Sequence, residues 1–241
     1  ICGRLVDGYY TYEGKKYEMG LHGFAQKMPM AVTEKSEQAV TFSLQANEET
    51  KTMYPFDFTF RVSYALQGNR IAVTFDVTNN GSGDMPYSVG GHPGFRVPLG
   101  DAGRFEDCYL DFGEKCAPEM FLLSPTCFLS GETAPFKLRC GKRLDLRHDL
   151  FDNDAIFLKD AAKSVSIKSR ACKKSVTVEY PSMDYVGFWH ADHTDAPFVC
   201  IEPWNGLPGT DGHVDDFSDK RAMRHLAGGQ SETSGFSILI Q

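Results

Sequence analysis

Long apolar runs are missing from this sequence of 241 residues. No stretch approaches the roughly 18 consecutive apolar residues of a membrane-spanning helix, so the sequence predicts no membrane span. A basic excess is missing too, because 25 Lys and Arg stand against 32 Asp and Glu, which gives a net charge of −7. A nonspecific nucleic-acid binder needs a basic face that replaces counterions. We therefore expect neither a membrane nor a nucleic acid as partner.

Paired cysteine motifs are also absent. The seven cysteines include no C-x-x-C pair and no spacing typical of zinc ligands. Scattered cysteines in a chain of this size are typical of free thiols in a reducing compartment, so we expect a cytoplasmic protein. The same scatter argues against bound zinc, and no motif indicates another metal or a cofactor.

Helical periodicity is scarce, and alternation of apolar and polar residues dominates instead. The runs 56–64 and 71–77 alternate on either side of a short loop that contains Gly68, which is typical of a β-hairpin. The stretch 216–226 is a candidate for one or two helical turns. Many short strands with little helix predict an all-β sandwich or barrel in one domain. Further strand patterns lie around Tyr10, Val165, Val176, Phe198 and Phe236.

Three segments interrupt the alternation with residues suited to chemistry: 21–25, 88–95 and 200–208. In the second segment, His92 follows two glycines and precedes Pro93, a context that restricts where its ring can lie. Histidine also titrates near neutral pH, as proton transfer requires. The alternative is a simple turn in which His92 caps a backbone group.

In the third segment, Glu202 ends the apolar run 198–201. Burial of this carboxylate would raise its pKa toward the range of a general base. Trp204 follows closely, and an indole beside a carboxylate is a common way to bind a sugar. The alternative is a strand-end glutamate in a surface salt bridge, with Trp204 in the core. We interpret the other tryptophan, Trp189, as a core residue.

Together these segments resemble the aldose 1-epimerase (galactose mutarotase) family, in particular its LacX-type branch. The likeness rests on 90–95 (Gly-Gly-His-Pro-Gly-Phe) and 200–206 (Cys-Ile-Glu-Pro-Trp-Asn-Gly), with 22–25 (His-Gly-Phe-Ala) and 3–5 (Gly-Arg-Leu) in the expected order. It implies a β-supersandwich of the galactose mutarotase-like type, in a single domain over residues 1–241, with the sugar in an open cleft. Family members carry further strands ahead of the Gly-Arg position, so we expect this fold without its first strands.

The resemblance also implies a reaction, the interconversion of the α and β anomers of a free hexose by ring opening and closure. Glu202 matches the general base that takes the proton of the C1 hydroxyl. His92 matches the general acid that protonates the ring oxygen, and His22 matches a second histidine that holds the ring oxygen or a neighbouring hydroxyl. Each positioned acid or base typically contributes about 10²–10⁴-fold in rate.

Further sugar contacts follow from the same resemblance. Arg4 and Asp154 match residues that bind sugar hydroxyls, although Asp149 and Asp152 lie near enough in the sequence to take the place of Asp154. Phe95 is expected as a wall of the cleft, because it follows the histidine motif closely.

One position of the sugar-binding set departs from the family pattern. Relatives of this branch usually carry Arg after His-Gly-Phe-Ala, and here the residue is Gln26. A guanidinium clamps an anion much better than a neutral amide does, so we expect a free monosaccharide as the partner. A hexose-6-phosphate mutarotase and a non-catalytic carbohydrate-binding protein are the alternatives. A glycoside hydrolase usually needs two flanking carboxylates and is disfavoured. We expect a monomer or a homodimer.

Overall fold

The computed structural model describes residues 3–101 and 103–241, and within these ranges strands predominate. The α-helix α1 is Glu48–Met53, and the short 3-10 segments are Val6–Gly8, Ala25–Lys27, Phe105–Asp107 and His148–Phe151. In chain order the strands are β1 Tyr9–Tyr12, β2 Lys15–Glu18, β3 Ala31–Lys35, β4 Ala39–Gln45, β5 Phe58–Gln67, β6 Arg70–Asn79, β7 Met85–Tyr87, β8 Gly94–Arg96, β9 Cys108–Asp111, β10 Glu119–Leu123, β11 Leu129–Pro135, β12 Arg143–Asp145, β13 Ile156–Lys159, β14 Ser164–Ser169, β15 Ser175–Glu179, β16 Tyr185–Trp189, β17 Phe198–Trp204, β18 Arg224–Leu226 and β19 Ser231–Ile240.

The predicted hairpin around Gly68 is confirmed as the antiparallel pair β5–β6, with Gln67 opposite Arg70. Gly68 has a φ of +62° in this tight turn, a conformation that glycine adopts without strain. Along β6, Val73, Phe75 and Val77 are buried, while Thr74 and Asp76 between them are partly exposed. The alternation in the sequence therefore marks the buried face of the strand.

The strands predicted around the other alternating runs are also confirmed. The expected helical turns in 216–226 are wrong, because that stretch contains turns and then β18. The short helix α1 was not predicted. It begins with a capping box, in which the Asn47 side chain accepts from the Thr50 amide and the Thr50 hydroxyl accepts from the Asn47 amide.

Two large sheets dominate the structure. One has six strands in the order β11-β10-β13-β16-β17-β8, and the other has nine in the order β12-β9-β14-β15-β19-β6-β5-β4-β3. Neighbouring strands are antiparallel throughout both sheets. The pairs β1–β2 and β7–β18 form two small additional sheets. The expected all-β class is confirmed.

The principal core combines side chains of both large sheets. Val73 and Val178 come from the nine-stranded sheet, while Phe188 and Ile201 come from the six-stranded one. Burial of such side chains contributes about 1.5–3 kcal/mol each, before the opposing loss of conformational entropy. This packing fixes β17 between β16 and β8, with the β7–β8 loop beside it. Within the described ranges, no helix has the length and apolar character needed to span a bilayer.

Candidate active site

Glu202 is a carboxylate placed in the interior of β17, and only 2% of its side chain is exposed. Its strand neighbour is Gly187 of β16, whose missing side chain leaves room beside the Glu202 Cβ. Burial raises the pKa of Glu202 to about 8, and the negative charge of Asp154 adds to this shift. Among the described residues, its Oε1 atom has no hydrogen-bond partner. The acceptor is therefore free for a ligand.

The loop that carries His92 is attached to β17 on both sides of the histidine. The Gly91 amide donates to the Pro203 carbonyl at 2.9 Å, and the Ile201 amide donates to the Pro93 carbonyl at 3.2 Å. Gly91 is required by close packing, since a Cβ there would lie 2.3 Å from the Phe236 ring. The loop conformation is thus set by the strand that bears Glu202.

These attachments bring the two predicted catalytic side chains together. His92 Nε2 lies 3.3 Å from Glu202 Oε1, although the angles do not satisfy a hydrogen bond. The His92 side chain is 38% exposed, so the pair is accessible from one side. Partial burial lowers the pKa of His92. Both shifts disfavour a charged pair in the free protein.

His22 completes a cluster of two imidazoles. Its ring stands edge-on to His92, with 5.1 Å between the ring centroids. Its Nδ1 accepts a hydrogen bond of 3.3 Å from the Gly3 amide, so the neutral ring carries its proton on Nε2. Burial, followed by the charge of His92, lowers the pKa of His22 to about 4. A neutral His22 is therefore a hydrogen-bond donor at physiological pH.

Arg4 and Asp154 form an ion pair of 2.9 Å beside these groups. The competing acidic residues lie elsewhere: Asp149 binds Arg147, and Asp152 lies 3.4 Å from His193. The structure thus brings Asp154 into the cluster.

These side chains surround a cavity of about 180 Å³. A cavity of this volume has room for several waters or one small polar ligand. Its lining combines hydrogen-bonding groups with the apolar surfaces that small-molecule sites usually contain. The lining residues are Gly3, Arg4, Leu21, His22, His92, Cys127, Asp154, Ala155, Phe157, Trp189, Glu202, Trp204 and Pro208.

A second, larger cavity of about 710 Å³ is lined mainly by apolar side chains of β5, β6 and β19 and shares His22, His92 and Trp204 with the first. Gln26 belongs to this second cavity and not to the smaller one. Its Nε2 donates to the Leu21 carbonyl at 2.8 Å. Gln26 therefore supports the loop at the rim of the small cavity, and its direct sugar contact stays a prediction.

Two aromatic residues differ from their expected placement. Phe95 does not line the small cavity, because it pairs with Val199 and packs against the principal core. Trp189 was expected in the core, yet it lines the cavity with its ring centroid 5.8 Å from that of His92. This place follows from the pairing of β16 with β17, for which the sequence carried no signal.

Trp204 lines the cavity as a buried wall with 3% of its surface exposed. Its indole N–H donates to the Gly91 carbonyl at 3.1 Å, and its ring lies 5.0 Å from that of Phe157, centroid to centroid. This burial limits the open stacking surface that the sequence analysis expected. The side chain instead connects β17 to the histidine loop.

Cys200 is a neighbour of the site that sequence reasoning missed. It stands two positions before Glu202 on β17, so both side chains point to the same face. The ligand atoms of His92, Cys200 and Glu202 all lie within 4.8 Å of one another, which makes them the group among the described residues that could hold a metal ion. Strand periodicity, rather than the spacing of cysteine pairs, was the signal.

The two packed sheets have the galactose mutarotase-like fold. A galactose mutarotase related enzyme from Lactobacillus acidophilus superposes with a TM-score of 0.92 at 34% identity, over 100% of this chain and 80% of that chain. A galactose mutarotase-like protein from Lactobacillus casei gives a TM-score of 0.91 at 30% identity, over 100% of this chain and 82% of that one. The expected fold type is thereby confirmed.

The chain belongs to the aldose 1-epimerase family, whose sequence model matches residues 1–215. It is 36% identical over 217 residues to the chromosomal protein LacX of Lactococcus lactis subsp. lactis, which covers 86% of this chain and 72% of that protein. The resemblance inferred from the sequence is therefore confirmed. This membership supports an epimerase of the mutarotase type.

Proposed function

We propose that this chain is an aldose 1-epimerase that interconverts the α and β anomers of a free hexose. The observation that carries the proposal is the 3.3 Å approach of His92 Nε2 to the unpartnered Oε1 of Glu202 at a cavity of monosaccharide scale. The anomeric hydroxyl and the ring oxygen are bonded to the same carbon. Two adjacent proton-transfer groups can therefore serve both oxygens.

Ring opening follows from these two groups. The Glu202 carboxylate takes the proton of the C1 hydroxyl, the C1–O1 bond becomes a carbonyl, and the bond between C1 and the ring oxygen breaks. The ring oxygen takes a proton from Nε2 of the His92 imidazolium. After rotation about C1–C2, the same transfers run backwards on the other face of the carbonyl. In ring opening, one proton passes from the sugar to Glu202 and one passes from His92 to the sugar. Neither an oxidant nor a reductant is needed.

The reactive state holds one proton on the pair of Glu202 and His92. The raised pKa of Glu202 and the lowered pKa of His92 favour a neutral carboxyl beside a neutral imidazole in the free protein. Transfer of that proton gives the carboxylate and imidazolium without a change in the total number of protons. A sugar between the two groups supplies hydrogen bonds that stabilise this charged form.

The charges around the cavity favour a neutral sugar over a phosphorylated one. Of the described residues that line it, Arg4 is the one with a permanent positive charge, and Asp154 already neutralises it at 2.9 Å. Glu202 supplies no positive charge and becomes negative in the proposed reactive state. A phosphate dianion there would meet one occupied guanidinium beside two carboxyl groups, whereas a sugar hydroxyl can donate to a carboxylate and accept from a guanidinium.

Saturation-transfer NMR of glucose, galactose and glucose 6-phosphate tests this proposal. We expect exchange of the free hexose anomers above the spontaneous rate. Glu202→Gln and His92→Asn should each lower turnover by at least about two orders of magnitude while the fold is retained. Glu34→Gln is the matched control, because it makes the same chemical change at an exposed position of β3 and should leave turnover unchanged.

Three outcomes would contradict the proposal. Near-wild-type turnover in the Glu202→Gln variant would remove the assigned base. Acceleration of the phosphorylated sugar alone would identify a hexose-6-phosphate mutarotase. Sugar binding by a folded chain without any acceleration would identify a carbohydrate-binding protein.

A further inference from the structure

We infer that His92, Cys200 and Glu202 form a binding site for Zn²⁺, and that occupation of this site reversibly inhibits the epimerase. The inhibition rests on the proposed function, because His92 and Glu202 are its acid and its base. The binding itself rests only on the geometry of the three side chains. The cysteine spacing in the sequence argues against zinc, but a site built from one cysteine across neighbouring chain segments has no such spacing.

The distances suit a zinc ion after small side-chain adjustments. Tetrahedral zinc with bonds of about 2.0–2.3 Å holds its ligand atoms about 3.3–3.8 Å apart. Nε2 of His92 and Oε1 of Glu202 are already 3.3 Å apart, and the ligand atom of Cys200 lies within 4.8 Å of both partners' ligand atoms. The Cys200 sulfur therefore has to move by at most about 1–1.5 Å to bring all three atoms into bonding range.

The backbone fixes these ligands in advance. Cys200 and Glu202 share one face of β17, and Cys200 pairs with Gly94 immediately after the histidine loop. The hydrogen bonds of Gly91 and Pro93 to the same strand restrict how far His92 can move. Little conformational freedom is lost when a metal binds to ligands that are held in this way.

An unsatisfied group already points to a ligand here. Glu202 is 2% exposed, and its Oε1 has no hydrogen-bond partner among the residues of 3–101 and 103–241. A buried acceptor without a partner costs about 1–3 kcal/mol. Bonding to a cation removes this penalty, and the 180 Å³ cavity leaves an open fourth position for water.

Ligand chemistry selects zinc over the harder divalent cations. A thiolate and an imidazole favour Zn²⁺, whereas Mg²⁺ and Ca²⁺ prefer oxygen ligands alone. On binding, the Cys200 thiol loses its proton to solvent as the Zn–S bond forms, and no redox change occurs. The thiolate and the Glu202 carboxylate together balance the two charges of the ion, so the buried site is electrically neutral.

Bound zinc blocks both proton transfers. It occupies the lone pair of His92 Nε2 and the free oxygen of Glu202, which are the atoms that would contact the sugar. Zinc and sugar therefore compete, and chelation restores activity. In an assay with chelator-buffered Zn²⁺, we expect inhibition of anomer exchange. High hexose concentration should relieve this inhibition, and EDTA should restore full activity.

Two readouts on the purified chain test this inference. Co²⁺, used as an optical probe, should give a thiolate charge-transfer band, and Zn²⁺ should displace it. Cys200→Ser and Cys200→Ala should both abolish the band, while Cys140→Ser, at an exposed cysteine, should keep it. Loss of even an outer-shell partner lowers metal affinity about 10–100-fold, so loss of the thiolate should raise the half-inhibitory Zn²⁺ concentration at least about tenfold.

The outcomes separate the two proposals. A Cys200-dependent band in a chain without mutarotase activity would leave the metal site standing and remove the proposed function. An active enzyme with equal zinc sensitivity in wild type and Cys200→Ser would overturn the inference, as would an active enzyme with neither a band nor inhibition.

Discussion

The indole N–H of Trp204 donates a hydrogen bond of 3.1 Å to the carbonyl oxygen of Gly91. Trp204 stands two positions after Glu202 on β17, and Gly91 immediately precedes His92. Since the Gly91 amide also donates to the Pro203 carbonyl, both backbone groups of this glycine are bound to β17. A tryptophan that the sequence suggests as a sugar platform thus links the two side chains proposed as acid and base.

Removal of this hydrogen bond should affect both stability and catalysis. Trp204→Phe keeps an aromatic ring but leaves the Gly91 carbonyl without its donor, which costs about 1–3 kcal/mol for a buried group. We expect that loss in the free energy of unfolding by urea denaturation. We also expect a lower kcat with little change in KM, because the position of His92 is loosened. A higher KM with an unchanged kcat would indicate direct sugar stacking instead.

The pH dependence of kcat/KM should be bell-shaped. The reactive pair carries one proton, so activity is lost when Glu202 and His92 are both deprotonated or both protonated. With the pKa of Glu202 near 8, the alkaline limb should lie near pH 8, and with the pKa of His92 lowered, the acid limb should lie below pH 6.5. Rates of anomer exchange across pH 4–10 measure both limbs.

Asp154→Asn provides the control for the alkaline limb. The charge of Asp154 contributes to the raised pKa of Glu202, so its removal should shift this limb to lower pH. Asn tolerates the positive φ of +72° found at this position, and the backbone should be retained. An alkaline limb that stays in place would mean that Glu202 does not set it.

Glu202 should make the fold less stable as the pH rises. Its pKa is raised from 4.5 to about 8 by folding, so the native state binds this proton more tightly than the unfolded chain does. The resulting stabilisation is complete below about pH 4.5 and is lost as the pH rises through about 8. Glu202→Gln removes this dependence, so relative to wild type its stability should rise between pH 5 and pH 8.5.

The size of this effect follows from the shift. Each pKa unit corresponds to about 1.36 kcal/mol, which sets an upper limit of about 5 kcal/mol on the gain. Urea denaturation of both chains at several pH values measures it, with Glu34→Gln as the exposed control. Parallel stability curves for wild type and Glu202→Gln would argue against a buried, protonated Glu202.

A buried lysine supports the segment after β17. Lys220 donates to the carbonyls of Leu207 and Pro208 at 3.0 and 3.2 Å and lies 3.7 Å from the buried Asp215. Lys220→Met should destabilise the fold by about 3–5 kcal/mol, because an uncompensated carboxylate stays behind. Lys35→Met, at an exposed position of β3, should change stability little. Equal unfolding free energies for the two variants would contradict this role.

Local patterns predicted most of the strands. Alternation along β5 and β6 reports the buried face directly, since successive side chains of a strand point to opposite sides. The helix α1 escaped prediction because it has six residues and depends on a capping box at Asn47 rather than on an apolar stripe. The order of the strands within each sheet was inaccessible for a related reason, because it is set by contacts between distant segments.

The residues of the candidate site also differ in whether local sequence patterns or contacts between distant segments determine their place. His92 and Glu202 stand in local motifs, Asp154 follows from the family resemblance, and the structure brings all three to one cavity. Trp189 stands in no motif, and its place at the cavity follows only from the pairing of β16 with β17, whereas the place of Cys200 beside the His92 loop follows from the pairing of β8 with β17. Phe95 lies outside the small cavity for the opposite reason: proximity to His92 in sequence does not determine which face of β8 its ring occupies.

The attachment of the His92 loop to β17 on both sides also bears on the temperature dependence of the reaction. The conformational entropy of this loop is lost during folding and is not lost again in each turnover. Ordering of His92, the proposed acid, relative to Glu202, the proposed base, should therefore add little to the entropy of activation. An Eyring analysis should assign most of the remaining barrier to enthalpy, as expected for a hemiacetal whose ring bond must break between groups that are already in position.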